Sequence, residues 1–224
     1  MEEEAAAFRV EGFEYIKDNS IPTSRVWVMD ETGLWTGSVA PRTYVNPATN
    51  DSGVLMLGDH RRDTGVVALC ADGSIDWWFL EHIPQQPRKI NGSVVITRPG
   101  VSGMGSAQML QWSQEFTARH ATGELGFKAV LILDGLQAHK NPASLRILAE
   151  SGYKTFFMPP QAARLLSPCD NSFFSSMKAR MKHMDLSTKE MKRAAFEEVC
   201  RTYPPDLIIS YFRHCGYDCS ASVE

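Results

Sequence analysis

The 224-residue chain predicts an α/β fold, a central mixed β-sheet flanked by α-helices, and three observations carry the prediction. Short runs rich in β-branched and aromatic residues, such as RVWVMD and GVVALC, occupy the first part of the chain and are separated by turn residues. From about residue 127 the pattern changes to alternating strands and amphipathic helices. A hydrophobic content of 43% with 22% charged residues at this length is enough for one substantial core.

Residues 1–20 open with an acidic, Ala-rich stretch of helical character, and NSIPTS breaks it ahead of the first strand. In that strand, 26–30, side chains alternate, so Val26, Val28 and Asp30 share one face while Trp27, Met29 and Glu31 share the other. Gly33 is expected to end the run. Strands over 65–70 and 74–80 meet at Asp72-Gly73, a dipeptide suited to a tight hairpin, and with 26–30 they form a three-stranded antiparallel unit. SVVIT is a further short strand. The loop carrying Gly100, Gly103 and Gly105 lacks a following Lys-Ser or Lys-Thr and reads as a connector rather than a phosphate cradle. A helix follows in which Met109, Trp112 and Phe116 recur at helical spacing.

FKAVLILD is a continuous apolar run of the kind buried on both faces. NPASLRILAESG supplies an Asn cap, Pro at the first helical position and a terminating Gly. YKTFFMPP is the next strand. Asp170 then opens a helix to about residue 183 with Phe173, Met177 and Met181 repeating every fourth residue. A helix over 187–201 and a short one in PPDLIISYFRHCGY complete the chain.

No apolar run reaches the length of a membrane span, and MEEEAAAF is acidic where a secretory signal is basic, so an intracellular protein is expected. The five cysteines are odd in number and form no CxxC pair, which supports neither a disulfide framework nor a zinc ribbon; His214, Cys215 and Cys219 are the remaining metal candidates, with a reduced, structurally idle set favoured. Net charge is −3, but its distribution is uneven: residues 140–201 hold 11 Lys and Arg against 6 Asp and Glu, while the rest holds 12 against 20. Such a basic section faces either a polyanion or solvent.

Two carboxylates, Asp30 and Asp134, end strands, and at 100° per residue Asp170 falls on the inward stripe of Phe173, Met177 and Met181. Each alone has an ordinary explanation, as a solvated strand end, an Asp bonding to its own turn, or a helix cap. Gathered at the ends of a mixed sheet, the three repel one another unless cations hold them. Magnesium or manganese suits such a set, because hard cations take carboxylate oxygen. Two ions about 3.5–4 Å apart can activate an attacking oxygen and stabilise a leaving one in phosphoryl transfer.

VWVMDETGLW, VLILDGLQAH and FFMPPQAARLLSPCDNSFFSSMKARMK resemble the three catalytic blocks of the DDE superfamily, in the pogo and mariner branch of cut-and-paste transposases. The matching positions are Asp30 with Glu31, Thr32 and Gly33; Asp134 with Gly135 and His139; and Pro159, Pro160, Pro168, Asp170 and Lys178. Thirty-five residues separate Asp134 from Asp170, similar to that branch. Ser167 and Cys169 depart from the Gln and Leu that pogo-type relatives tend to carry.

The resemblance spans roughly residues 21–216 and implies an RNase H-like catalytic domain there, between an acidic segment, 1–20, and a tail, 217–224. It implies metal-dependent DNA cleavage and strand transfer, with Asp30, Asp134 and Asp170 as ligands of two Mg2+ ions, or Mn2+. Glu31 is expected either to support the ligands from behind or to be structural, and His139 either to touch a phosphate or the surroundings of the third carboxylate or, as a helix-entry histidine, to bond to a loop carbonyl. Lys178 is expected to hold the DNA backbone, with a solvated helix face the alternative, and Arg180 and Lys182 beside it on the basic section are the other expected phosphate contacts.

DNA is the implied partner and a homo-dimer a compatible assembly, with no organic cofactor and no membrane. The expected location is nuclear in a eukaryote and cytoplasmic otherwise. The family's helix-turn-helix modules stand ahead of the catalytic domain, and only about 20 residues precede the first strand here, so sequence-specific DNA recognition is not expected. Two other readings remain open: a non-catalytic domesticated remnant binding DNA or protein, and a free-standing RNase H-like nuclease or resolvase.

Overall fold

The computed structural model describes residues 2–35, 62–82, 94–97, 103–123 and 126–218. Six strands, β1 (Val26–Trp35), β2 (Arg62–Cys70), β3 (Ile75–His82), β4 (Val94–Thr97), β5 (Ala129–Leu133) and β6 (Tyr153–Phe157), form one sheet in the order β4-β3-β2-β1-β5-β6. β1, β2 and β3 are antiparallel neighbours, whereas β5 pairs in parallel with β1 and β6 with β5, and β4 lies parallel to β3. The mixed sheet and the three-stranded antiparallel unit are therefore as the sequence predicts. Gly73 makes the β2–β3 turn at φ +96°, a backbone angle that favours glycine.

The strand alternation sorts the core into two layers. Val26, Val28, Val67, Leu69, Val130 and Ile132 face one side, and Trp27, Met29, Val66, Ala68, Leu131 and Leu133 contribute to the other. α3 (Ser106–His120) and α4 (Pro142–Glu150) cover the second side, with Met109, Trp112 and Phe116 buried as their spacing requires. Asn141 caps α4 by accepting from the Ala143 N–H, Pro142 begins it, and Gly152 follows at φ +88°.

The first side is covered by helices from both ends of the chain. α1 (Glu2–Phe8) continues through a π-helical turn, Arg9–Phe13, into α2 (Glu14–Asp18), and its Phe8 meets Phe156 of β6 edge-on. α5 (Ala163–Leu166), a π-helical turn at Cys169–Phe173, α6 (Phe174–Met181), α7 (Lys189–Thr202) and α8 (Pro205–His214) complete that layer. Tyr217 is buried there and donates to the Leu166 carbonyl.

One expectation is corrected by the topology. β1 does not stop near Gly33 but runs to Trp35, with Gly33 opposite Thr64 on β2. A glycine is tolerated because antiparallel pairing with β2 continues on both sides of it, so Asp30 and Glu31 sit within a strand rather than at its end. Of the Gly100, Gly103 and Gly105 loop, residues 98–102 lie outside the described residues; Gly105 receives the Gln108 side chain on its N–H ahead of α3.

Candidate metal centre

β1 and β5 pair in parallel from Val26 opposite Val130 to Val28 opposite Ile132, and their pairing goes no further. Asp30 lies two residues beyond Val28, and Asp134 two beyond Ile132. Both carboxylates thus lie at the same level, just past the point where the parallel pairing of β1 and β5 ends and a crevice opens between the two strands, Asp30 still within β1 and Asp134 just beyond β5. Asp170 arrives on the π-helical turn packed beneath β1, where Cys169 Sγ lies 3.7 Å from the Val28 carbonyl oxygen. Three segments far apart in sequence therefore bring their carboxylates into one electrostatic neighbourhood.

The environments of the three differ. Asp30 is buried at 6% exposure, and burial pushes its carboxyl well above the ordinary range. The negative charge of Asp170 adds to that rise, the Glu31 N–H opposes it, and Glu31 and Asp134 raise it further. That N–H donates to Asp30 Oδ1 at 2.7 Å. Asp170 is exposed, yet partial desolvation and the charge of Asp134 still raise its carboxyl; Lys178, Arg164 and a hydrogen bond with the Asp30 carboxyl pull it back. Asp134 moves the other way. Burial pushes it up, but His139, the Leu136 N–H and Lys140 together bring it below the ordinary value.

His139 is completely buried. Its Nε2 lies 2.9 Å from Glu31 Oε1, and its Nδ1 lies 2.6 Å from Asp134 Oδ1, a close charge contact off the line of a directional hydrogen bond. Burial alone lowers an imidazole pKa, but the two carboxylates reverse this and push His139 up to about 10.

Several site expectations change in detail. Asp170 does not join the inward stripe of α6: Phe173, Met177 and Met181 are buried, but the wider π-helical turn preceding them rotates Asp170 off their line and into solvent. His139 faces neither a phosphate nor Asp170; sealed between Glu31 and Asp134, it has no outward surface. Lys178 lies near Asp170, whereas the Arg180 guanidinium rests over the Tyr203 ring at 4.6 Å, and Lys182 is exposed at the end of α6. Residue order along a single helix could not separate these three.

Two basic residues near the carboxylates escaped the sequence reading: Arg164 on α5, beside Asp170, and Lys140, beside Asp134. The signal was available for Lys140, which directly follows His139, but not for Arg164, whose approach depends on the fold of the loop. Asn171 Nδ2 fixes that loop by donating to the Arg164 carbonyl at 2.6 Å. In the alternative metal set, Cys215 is buried in the core while His214 is exposed, so neighbouring residues point apart; Cys219 lies outside the described residues.

Among the described residues, no three His, Cys, Asp or Glu side chains are drawn into a closed metal cage. The donor chemistry nevertheless fits hard divalent cations. The charge of Asp170 raises the Asp30 carboxyl and that of Asp134 raises the Asp170 carboxyl, an energetic conflict within the trio that a bound cation would relieve. The buried Cys169 thiol, raised by burial and by both carboxylates, stays neutral and does not compete as a thiolate.

A six-stranded mixed sheet with helices on both faces and acidic residues converging at its parallel strand ends defines an RNase H-like fold. The chain belongs to the DDE superfamily endonuclease family, whose model matches residues 83–197. The structure is similar to that of Mos1 transposase in its paired-end complex with the left transposon end, with a TM-score of 0.66 at 12% identity over 95% of this chain and 58% of that one. It is also similar to the catalytic domain of Mos1 mariner transposase, with a TM-score of 0.57 at 15% identity over 96% of this chain and 86% of that one. A Cochliobolus lunatus protein named MFS-type transporter clz9 is 30% identical over 176 residues, which cover 71% of this chain and 18% of that relative. The chain thus spans under a fifth of that protein. Among the described residues, no helix is long and apolar enough to cross a membrane.

Proposed function

We propose that this chain is the catalytic domain of a cut-and-paste transposase, one that cleaves a DNA phosphodiester and uses the freed 3′ hydroxyl to attack a second strand. The observation that carries the reading is the electrostatic contact among Asp30, Asp134 and Asp170 at the parallel strand ends of a DDE-family domain. Asp30, Asp134 and Asp170 would hold magnesium or manganese. When bound, these ions activate the attacking oxygen and stabilise the leaving one. Mos1 structures with Mn and with Mg support the choice of ion.

The chain's own residues have complementary tasks. Asp134, kept ionised by its surroundings, is the carboxylate most ready to receive a cation. Asp30 and Asp170 require one before both can be ionised together. Lys140, Arg164 and Lys178 ring the acids and would meet DNA phosphates on either side of the scissile bond, positioning the backbone without reading its sequence. Mos1 complexes with transposon ends support DNA as the substrate, and the family supports a nuclear site of action in a eukaryote.

Magnesium-dependent nicking of supercoiled plasmid is the direct test. Wild-type chain should nick, EDTA should stop it, and Asp134→Asn, which keeps the shape but removes the charge, should lower the rate by at least about two orders of magnitude. Equal nicking by wild type and Asp134→Asn would remove Asp134 from the site.

A further inference from the structure

Backbone pairing between β1 and β5 ends two residues before the carboxylates they carry, so no backbone pairing joins Asp30 directly to Asp134. Side chains span that gap. The Glu31 N–H donates to Asp30 Oδ1 at 2.7 Å, and Glu31 Oε1 accepts from His139 Nε2 at 2.9 Å. On the other side of the ring, His139 Nδ1 stands 2.6 Å from Asp134 Oδ1, and the Leu136 N–H donates to that same oxygen at 3.0 Å.

Two partners thus converge on Asp134 Oδ1. An oxygen already engaged by an imidazole and an amide is a poor cation donor, whereas the other oxygen of the same carboxylate is not engaged by either of them. His139 is 0% exposed and Glu31 has a side-chain exposure of 14%, so the ring cannot swing away and neither group is arranged to greet solvent or DNA.

We propose that Glu31 and His139 form a positioning bridge that turns Asp134 so that Oδ2 faces the cation and holds Asp134 at a set distance from Asp30. The proposal rests on the reading of Asp30 and Asp134 as metal ligands. In this bridge Glu31 is the hinge: its backbone steadies one ligand, and through His139 its side chain steadies the other. Neither Glu31 nor His139 touches substrate. Their effect is on the affinity and geometry of the ion site, as outer partners of metal ligands act generally.

The test is Mn2+ binding by the whole chain, followed by titration calorimetry without DNA, together with thermal melting. His139→Gln can reach only one of the two carboxylates and should weaken Mn2+ binding about 10–100-fold. Glu31→Ala should weaken it in the wild-type background and add little in the His139→Gln background, because the two act through one path. A purely structural role would lower the melting temperature and leave the Mn2+ affinity of the folded fraction unchanged, and that result overturns the bridge. Should His139→Gln fail to fold, Glu31→Ala alone decides, with unchanged affinity counting against the proposal.

Asp30→Asn separates the two levels. If wild type binds Mn2+ and Asp30→Asn abolishes binding while the bridge variants match wild type, the bridge falls and the ligand reading stands. If wild type binds no Mn2+, the ligand reading falls and takes the bridge with it.

Discussion

At the scale of single residues, the site is a study in two carboxylates pushed in opposite directions. Asp30 has its pKa raised well above 3.8 by burial and by the charge of Asp170. A carboxyl raised in the folded state favours folding when protonated, so its contribution is present at low pH and is lost as pH rises from the unfolded value through the folded one. In metal-free protein at pH 7, Asp30→Asn should therefore melt at a higher temperature than wild type, with the gap closing as pH approaches 3.8. Differential scanning calorimetry in EDTA reads this, and a variant that melts lower at pH 7 would show that the repulsion is not felt. His139 shifts in the same direction for the opposite reason, its charged form being the one the fold favours. Its folded pKa of about 10 exceeds the ordinary 6.5, so its stabilisation is complete below 6.5 and drains away as pH climbs through 10. His139→Gln should lack that alkaline loss.

At the scale of elements, α7 is seated on the sheet by features that sequence periodicity alone does not reveal. Lys192 is fully buried, and its Nζ lies 2.5 Å from Asp63 Oδ2 on β2 and 3.4 Å from the Leu34 carbonyl on β1. Removing one partner of such a pair leaves the other charge buried, so Lys192→Met should lower unfolding free energy by about 3–5 kcal/mol in urea titration, with Asp63→Asn restoring part of the loss. A variant within about 0.5 kcal/mol of wild type, the margin usual for surface changes, would assign the pair to mere packing. Four residues on, Phe196 covers Gly65 so closely that a Cβ added there would sit 2.7 Å from the ring. Gly65→Ala should cost about 1–3 kcal/mol as the ring is displaced. Lys192 reaches the Leu34 carbonyl of β1, the strand that carries Asp30 and Glu31, while Phe196 rests on Gly65 of its partner β2, so the Lys192 variant should also loosen the site.

At the scale of the whole molecule, a net charge of −3 hides a division of labour. The acids gather at the parallel strand ends, and Lys140, Arg164 and Lys178 surround them from α4's entry, α5 and α6. Each phosphate contact contributes about −0.9 to the slope of log affinity against log salt, so replacing all three by Ala should flatten that slope by up to roughly 3 units. Fluorescence anisotropy with a labelled duplex across a salt series measures it, and an unchanged slope would return the three to ordinary solvated surface. Arg180, engaged over Tyr203, should change the slope less than Lys178 does.

The sequence by itself determined the order and type of the elements. Apolar alternation marked β1, β2 and β3, Asp72-Gly73 marked their hairpin, and Asn141, Pro142 and Gly152 bounded α4, because these signals act over a few residues and need no distant partner. It also singled out Asp30, Asp134 and Asp170, through motifs whose order survives along the chain. Only the tertiary structure decided what surrounds them. That β1 passes through Gly33 depends on β2 pairing beyond it, and the exposure of Asp170 depends on a π-helical turn that a 100° reckoning does not contain. The approach of Arg164 and the closure of His139 between Glu31 and Asp134, 108 residues from the former, arise from packing between segments, and distances between such segments are set by the fold rather than by any local pattern of residues.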